Sequence, residues 1–365
     1  MGKINYKIIL MAPLPPPFGG IGQWAKRFLE LAPKYNLSAD IVDETKNKGG
    51  HFFGKNSKIS FFAQLKRNRS IWNELKAKLN MPTQTVVHCC IPSFSLSMLR
   101  EYQSLKIAKK RGAKFIIHFR CTIPQISKSF FNKFLLKKFL KKSDSIIVLN
   151  IKSRDYLSSL SNKFLHKIQL IPNFVKDEEI GVLSLNFSND IKNVLFVGGV
   201  VAEKGCDTIL DVAKLMPAIN FHLIGNPSTS IIQQKESEQL NNVFLHGEQN
   251  HDYIRKIISN TDLFLFLSKY NAEGFSNALV EATACGLPCI ATDWASNKEQ
   301  LGLYSDLCIV NIDSPQEVVE VMKKINDKRI RLTISKYNIN HTKKNYAESV
   351  VMNKYIDIYD RIIKY

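Results

Sequence analysis

Acidic residues are scarce where the chain begins. Residues 1–180 hold 11 Asp and Glu against 32 Lys and Arg, whereas residues 181–365 hold 21 against 19, so the halves carry +21 and −2 of a formal net charge of +19. Long apolar runs are missing too: none approaches the about 18 residues of a membrane-spanning helix, so a soluble chain is expected. The first apolar run, Ile8 to Ala12, is too short for a secretory signal and runs into Pro13, and Tyr6 stands where a myristoylation signal needs Ser or Thr. The seven cysteines include no Cys-x-x-Cys and sit mostly in apolar runs, as small buried residues of a reducing compartment do. Cys285 and Cys289 have no histidine close in sequence and make a weak metal pair. Low-complexity tracts and short-period repeats are absent, which excludes tails and solenoids.

With 45% hydrophobic and 23% charged residues, 365 residues suit a globular protein of two or three domains. Short β-branched apolar runs alternate with longer stretches of helical spacing, the pattern of parallel sheets covered by helices. The runs predict six strands in the first half: Lys7–Pro13, Ala39–Asp43, Val86–Ile91, Lys114–Phe119, Ser145–Asn150 and Gln169–Pro172. Six more follow at Val194–Gly198, Asn220–Gly225, Val243–Gly247, Leu263–Ser268, Pro288–Asp293 and Leu307–Val310. Two doubly wound α/β domains are therefore expected, 1–176 and 177–339, with 340–365 a single helix crossing back to the first. Ligands of such sheets bind outside the carboxyl ends of the strands.

The most informative stretch runs from Ser268 to Asp293. A buried strand ends at Ser268, a polar loop carries Glu273 and Gly274, and a helix is expected to start at Ser276 or Asn277, with Glu281 one turn inside it. Free N–H groups and the positive end of a helix dipole suit a phosphate there, and carboxylates accept hydrogen bonds from sugar or ribose hydroxyls. Surface carboxylates near a helix start are also common without any ligand. The wider pattern, Glu273-Gly-Phe-Ser-Asn-Ala-Leu-Val-Glu281 followed by Gly286 and Pro288, resembles the nucleotide-sugar site of retaining glycosyltransferases of family 4, which have the GT-B fold. Other pieces fall in that family's order: Gly19-Gly20-Ile21-Gly22 after the first strand, His118 ending the fourth, Ile171-Pro172-Asn173 before the linker, Gly198, and Glu203-Lys204-Gly205.

The resemblance implies two Rossmann-like domains facing a central cleft. It implies a nucleotide sugar held mainly by the C-terminal domain, an acceptor held mainly by the N-terminal one, transfer with retained configuration, and no metal ion or cofactor. Carried over by position, Glu281 meets the ribose, Glu273 the sugar or the face of the reacting centre, and Lys204 the leaving diphosphate. The amides around Gly274, Phe275, Ser276, Asn277 and Leu279 also meet the diphosphate, and Gly19, Gly20, Gly22, Gly198, Gly199 and Gly225 line the nucleotide-sugar site. His118 hydrogen-bonds the sugar without acting as general base. The chain departs from the family at Gly199, where an arginine commonly pairs with the lysine; Lys269 and Arg120 are the cations expected to fill the gap.

Residues 129–142 place Phe131, Leu135, Leu136, Phe139 and Leu140 on one helical side and Lys133, Lys137, Lys138, Lys141 and Lys142 on the other, with Phe130 and Phe134 among the lysines. Residues 61–78, with Lys66, Arg67, Arg69, Trp72, Lys76 and Lys78, mix aromatics and cations in the same way. Two readings stand, a solvated basic face and contact with anionic lipid. No nucleic-acid motif accompanies the charge.

The leading expectation is a cytoplasmic enzyme, peripheral on the inner face of the membrane. It would extend a membrane-linked glycan or lipid of lipopolysaccharide, O-antigen or capsule synthesis, from a UDP-sugar rather than a GDP-sugar. A catalytically silent sugar-nucleotide-binding scaffold is the alternative. A dinucleotide-dependent dehydrogenase is weaker, because Gly19-Gly20-Ile21-Gly22-Gln23-Trp24 is not Gly-x-Gly-x-x-Gly.

Overall fold

The computed structural model describes residues 6–15, 19–45, 61–80, 84–91 and 96–364. A loop over 44–60, one of those expected to decide which sugar and acceptor are taken, lies from residue 46 outside the described residues. The chain divides into two compact units, residues 1–172 with 352–365, and residues 173–351.

The first unit holds β1 (Tyr6–Ala12), β2 (Ser38–Asp43), β3 (Gln84–Ile91), β4 (Lys114–Phe119), β5 (Ser145–Val148) and β6 (Ile168–Leu170), all parallel, in the order β2-β1-β3-β4-β5-β6. The inner strands are continuous apolar runs because helices cover both faces, and Ile8 to Ala12 are wholly buried. β2 lies at the edge and is half exposed, and there Asp40 binds Lys7 at 3.0 Å and Lys78 at 2.8 Å.

The second unit holds β7 (Asn193–Val197), β8 (Asn220–Ile224), β9 (Val243–Leu245), β10 (Leu263–Phe266), β11 (Cys289–Thr292) and β12 (Ile309–Val310), in the order β12-β11-β10-β7-β8-β9. All twelve expected strands form. Most are trimmed at the carboxyl end, where the chain turns out of the sheet into the loops that carry the glycines.

Two boundaries differ from expectation. The first unit ends at Pro172 and not at 176, because the Asn173 side chain donates to Phe275 O at 3.2 Å and to Asn277 Oδ1 at 2.7 Å, within the second unit. The C-terminal segment is two helices, Lys328–Asn345 and Glu348–Lys364, so the chain rejoins the first unit at Met352 and not at 340. The break arises because Tyr346 O accepts the Val175 N–H and the Glu348 N–H donates to Val175 O, a short parallel bridge that withdraws these groups from a helical ladder.

A fully buried ion pair closes the second unit. Arg331 Nη1 lies 2.8 Å from Asp262 Oδ1, and both side chains are 0% exposed. Asp262 also accepts the N–H groups of Ser188, Lys192 and Asn193, while Arg331 Nη2 donates to the carbonyls of Ser188, Asn189 and Asn326. The pair thus fastens the entry segment before β7 to the helix Lys328–Asn345. Asp262→Ala strands a guanidinium in the core and is expected to cost about 3–5 kcal/mol in denaturant unfolding. Asp262→Ala combined with Arg331→Met is expected to cost less than Asp262→Ala alone.

Candidate functional site

The order of the second sheet reverses between β7 and β10, and crevices of open α/β sheets form at such a switch point. The two loops leaving these strands are 198–205 and 267–276, which carry Lys204 and Glu273. Their closeness is built by glycine. At Gly205, φ is +77° and a Cβ would lie 2.1 Å from Leu267 O, so the two loops touch through bare backbone. At Gly225, φ is +139° and a Cβ would lie 1.8 Å from Gly198 O, which packs the β8 exit against Gly198 and Gly199.

Within this setting the Lys204 ammonium contacts Glu273 Oε2, and Ser268 Oγ donates to the same oxygen at 3.3 Å. Lys204 Nζ also lies 4.8 Å from the centre of the Tyr270 ring, a cation–π contact. Tyr270 O accepts from Glu273 N at 3.0 Å and Trp294 Nε1 at 2.8 Å, which fixes the loop between the ring and the carboxylate. The helix Asn277–Ala284 starts as expected: Ser276 is its N-cap, with Oγ accepting the Leu279 N–H at 3.1 Å. The amides of Asn277 and Ala278 then lack intrahelical partners. Glu281 lies half-buried on the same helix, and Gly274 and Phe275 are buried.

Lys269, one of the two expected stand-in cations, is committed elsewhere. Its Nζ binds Asp207 at 2.8 Å and Asp313 at 2.6 Å. Burial opposes its charge, but the two carboxylates outweigh burial and raise its pKa.

The first unit brings Gly19, Gly20 and Gly22 to the start of the helix Gly20–Leu31, after β1. Gly19 is the N-cap in extended conformation, and a Cβ at Gly22 would meet Pro15 Cδ at 3.3 Å. His118, at the end of β4, is fully buried. Its Nδ1 lies 3.0 Å from His88 Nε2 and its Nε2 3.1 Å from Arg120 Nη1. Arg120, the other stand-in, lies over the Trp24 ring, 4.4 Å from its centre. Burial, then the Arg120 charge, holds the His118 pKa well below the usual imidazole range, which suits a group that is not a base.

His88, Cys90 and His118 lie close enough together to hold a metal ion, as do Glu44, Cys89 and Glu101. Both groups already engage neighbouring side chains. Burial pushes the Cys90 thiol up to about 12, the two rings bond each other, and Arg100 binds both Glu44 and Glu101. All seven cysteines are free, and only Cys285 is not buried.

Two features of the basic surface differ from expectation. Phe131 lies on the exposed side of the helix Phe130–Lys142, which buries Leu135, Leu136, Phe139 and Leu140. In the helix Phe61–Lys78, Arg67 is buried and donates to Glu44 O at 2.6 Å, so it is no surface cation. Phe130 is 87% exposed and Phe134 48%, with Lys138 5.0 Å from the Phe134 ring centre. Among the described residues no helix is long and apolar enough to cross a membrane.

Sequence reasoning passed over Tyr270, Ser268, His88 and Tyr359. His88 was findable: β3 and β4 pair with Cys90 opposite His118, which puts His88 two residues back on the same face. Tyr359 lay in a helix whose packing no spacing reveals.

Residues 182–341 match the family model described as glycosyl transferases group 1. The chain is 24% identical over 264 residues to the N,N'-diacetylbacillosaminyl-diphospho-undecaprenol alpha-1,3-N-acetylgalactosaminyltransferase of Campylobacter jejuni, covering 70% of this chain and 66% of that protein, just under two thirds of its length. Among solved structures, a sucrose-phosphate synthase from Thermosynechococcus elongatus superposes with a TM-score of 0.80 at 15% identity, covering 99% of this chain and 100% of the other. The Anabaena protein HepE, in complex with UDP and glucose, gives 0.72 at 14% identity, covering 97% and 99%. The two parallel six-stranded sheets are those of the GT-B fold, and the group 1 match over the second unit supports a glycosyltransferase.

Proposed function

We propose that the chain is a retaining, family 4 glycosyltransferase that moves a sugar from a nucleotide sugar, a UDP-sugar before a GDP-sugar, to a membrane-linked glycan or lipid of surface polysaccharide or lipopolysaccharide synthesis. The observation that carries this reading is the meeting of Lys204 and Glu273 on adjacent loops at the strand-order switch of the second sheet, beside an N-capped helix that carries Glu281.

In this reading the diphosphate takes Lys204 from Glu273. The cation then meets the charge that develops as the anomeric carbon–oxygen bond breaks and the nucleoside diphosphate leaves with the bonding pair. Glu273, freed of the ammonium, accepts hydrogen bonds from the sugar, and Glu281 accepts them from the ribose. The acceptor hydroxyl attacks through an oxocarbenium-like transition state on the face the phosphate leaves, and its proton passes to a phosphate oxygen. No metal or cofactor takes part, the lysine and the helix amides supplying the positive field. The UDP held by HepE and the undecaprenol-linked glycan in the name of the Campylobacter relative support the choice of nucleotide and acceptor.

Gly199 and the engagement of Lys269 with Asp207 and Asp313 favour a second reading, a silent scaffold that binds sugar nucleotides without turnover. UDP, GDP, CMP and their sugars, screened by thermal shift, separate the cases. UDP is expected to raise the unfolding temperature most, and Lys204→Ala to weaken UDP binding about 10- to 100-fold, the worth of a charge-assisted hydrogen bond. No shift with any nucleotide would refute both readings. Transfer or hydrolysis present in the parent and lost in Glu273→Ala decides for the enzyme.

The helix Phe130–Lys142 supports peripheral contact with the cytoplasmic face of the membrane, since exposed Phe130 and Phe134 stand among lysines with no acidic residue in the segment. Sedimentation with anionic liposomes is expected to weaken with salt, and to fall when Lys133, Lys137, Lys138, Lys141 and Lys142 become serine. Binding that ignores both changes would leave the charge as a solvated face.

A further inference from the structure

The helices Phe61–Lys78, Leu96–Lys110 and Phe130–Lys142 pack in a row within the first unit, the first on the second and the second on the third. They hold 14 Lys and Arg against two carboxylates, Glu74 and Glu101. Glu101 is buried against Arg100, and Glu74 lies about 200° around its helix from Lys76.

A cavity of about 590 Å³ opens between the ends of the first two helices, lined by Lys76, Gln103, Lys106, Ile107, Lys110 and Arg111. The spacing 103, 106, 107, 110 is one face of a helix. Trp72, one turn before Lys76, donates to Arg100 O at 3.3 Å, so that side of the helix Phe61–Lys78 meets its neighbour. Ile107 is buried beneath the cations. The N–H groups of Arg111 and Ala113 both donate to Ala108 O, at 3.0 and 3.1 Å, which holds Arg111 at the helix end. Lys114 opens β4 three residues later, so the cavity lies where the strands begin, whereas Gly19 to Gly22 follow the end of β1 at the other edge.

The charge around this cavity has one sign. Among the described residues none of its four cations meets a carboxylate. The acids nearby are taken, Asp144 by Lys109 and Asp40 by Lys7 and Lys78. Lys106 stands 5.1 Å from the centre of the Tyr102 ring and Lys142 5.7 Å from the same centre, so positive charge continues onto the third helix. A cavity of about 600 Å³ in the second unit shows the ordinary pattern instead, with Asp190 and Asp327 among Lys323, Lys328 and Arg329.

The carbonyl ends of two helices offset part of the surplus, about half a negative charge each. Four cations against two such ends leave about three positive charges. A monovalent anion would leave most of that field unmet. A phosphate group brings about 1.5 to 2 negative charges at neutral pH, so two of them on one ligand match it.

We propose that the cavity between the helices Phe61–Lys78 and Leu96–Lys110 is a binding site for a compact ligand with two neighbouring phosphate groups, held by Lys76, Lys106, Lys110 and Arg111. The guanidinium offers a fork to two oxygens and the lysines act as point charges, while Gln103 adds a neutral hydrogen-bonding group and Ile107 an apolar base. The site uses none of the residues of the glycosyl-transfer reading and does not rest on it.

Inorganic pyrophosphate, titrated by calorimetry into the full-length protein at fixed ionic strength, tests the site. Binding is expected to weaken about tenfold or more when Lys106→Gln and Lys110→Gln are combined, the worth of charge-assisted hydrogen bonds, and orthophosphate to bind at least about tenfold more weakly than pyrophosphate. Because Lys204 is proposed to meet a diphosphate as well, the same titration is run in Lys204→Ala, where the cavity's binding is expected to persist. An unchanged isotherm in the double variant, pyrophosphate no tighter than orthophosphate, or an equal loss from Lys137→Gln with Lys138→Gln, outside the cavity, overturns the proposal. Without ligand at low salt, the double variant is expected to unfold at the parent's temperature or above it, since two unmet cations are gone. A clear fall assigns these lysines to the fold and overturns the site. Vesicles of anionic phospholipid that need the same lysines while pyrophosphate fails to bind would give the surface to a membrane and overturn a compact ligand. Pyrophosphate binding lost in Lys204→Ala alone removes this site and leaves the functional reading, whereas a cavity that binds pyrophosphate in a protein that binds no UDP does the reverse.

Discussion

Parallel strands are the constraint from which the rest follows. A chain that lays one strand beside another in the same direction must return by a crossover, so within each sheet every strand delivers its carboxyl end to the same edge of that sheet. The residues with chemistry sit there because there they can leave the sheet without breaking its ladder. In the second unit the order reverses between β7 and β10, the place where open α/β sheets form their crevices. Gly205 against Leu267 O and Gly225 against Gly198 O then let backbone meet backbone, which sets Lys204 within reach of Glu273.

That reach gives the resting site an economical charge state. Lys204 and Glu273 compensate each other, whereas Lys269 is shared between two carboxylates, Asp207 and Asp313. In the function proposed above, a diphosphate entering this site would exchange one partner for another, keeping the lysine paired and freeing the carboxylate for a sugar. The Tyr270 ring beneath the ammonium adds an attraction that does not compete with either anion.

Much of this was legible in the sequence, for a physical reason. The strands are continuous apolar runs because both faces are buried, and such runs are visible without knowing what packs on them. The capped helix start at Ser276 and the two glutamates around it depend on neighbours in sequence, so they could be read in a line. What could not be read were contacts made across the fold. Arg67 looked like a surface cation until the Glu44 carbonyl was found beside it, and Phe131 looked like core although the helix buries the next turns instead. The helix break at Tyr346 depends on Val175, some 170 residues earlier in the chain, and the partner of His88 lies in the last helix. Both were invisible to spacing.

The charge asymmetry acquires a sharper meaning once these contacts are known. Several cations of the first half are used internally: Lys7 and Lys78 hold Asp40, Lys109 holds Asp144, Arg100 holds Glu44 and Glu101, and Arg120 lies over Trp24. The lysines of the segment 129–142 differ, because the segment contains no carboxylate to meet them and its exposed neighbours are phenylalanines. Self-repulsion among cations on one short helix is a cost to the folded protein, which an external anionic surface would relieve and salt would screen. Hydrated phenylalanine is a second cost, relieved by the same surface if that surface has an apolar layer beneath its charge. A nucleotide would relieve the first cost alone, whereas a lipid headgroup region would relieve both, so the surface of this helix suits a membrane better than a soluble polyanion.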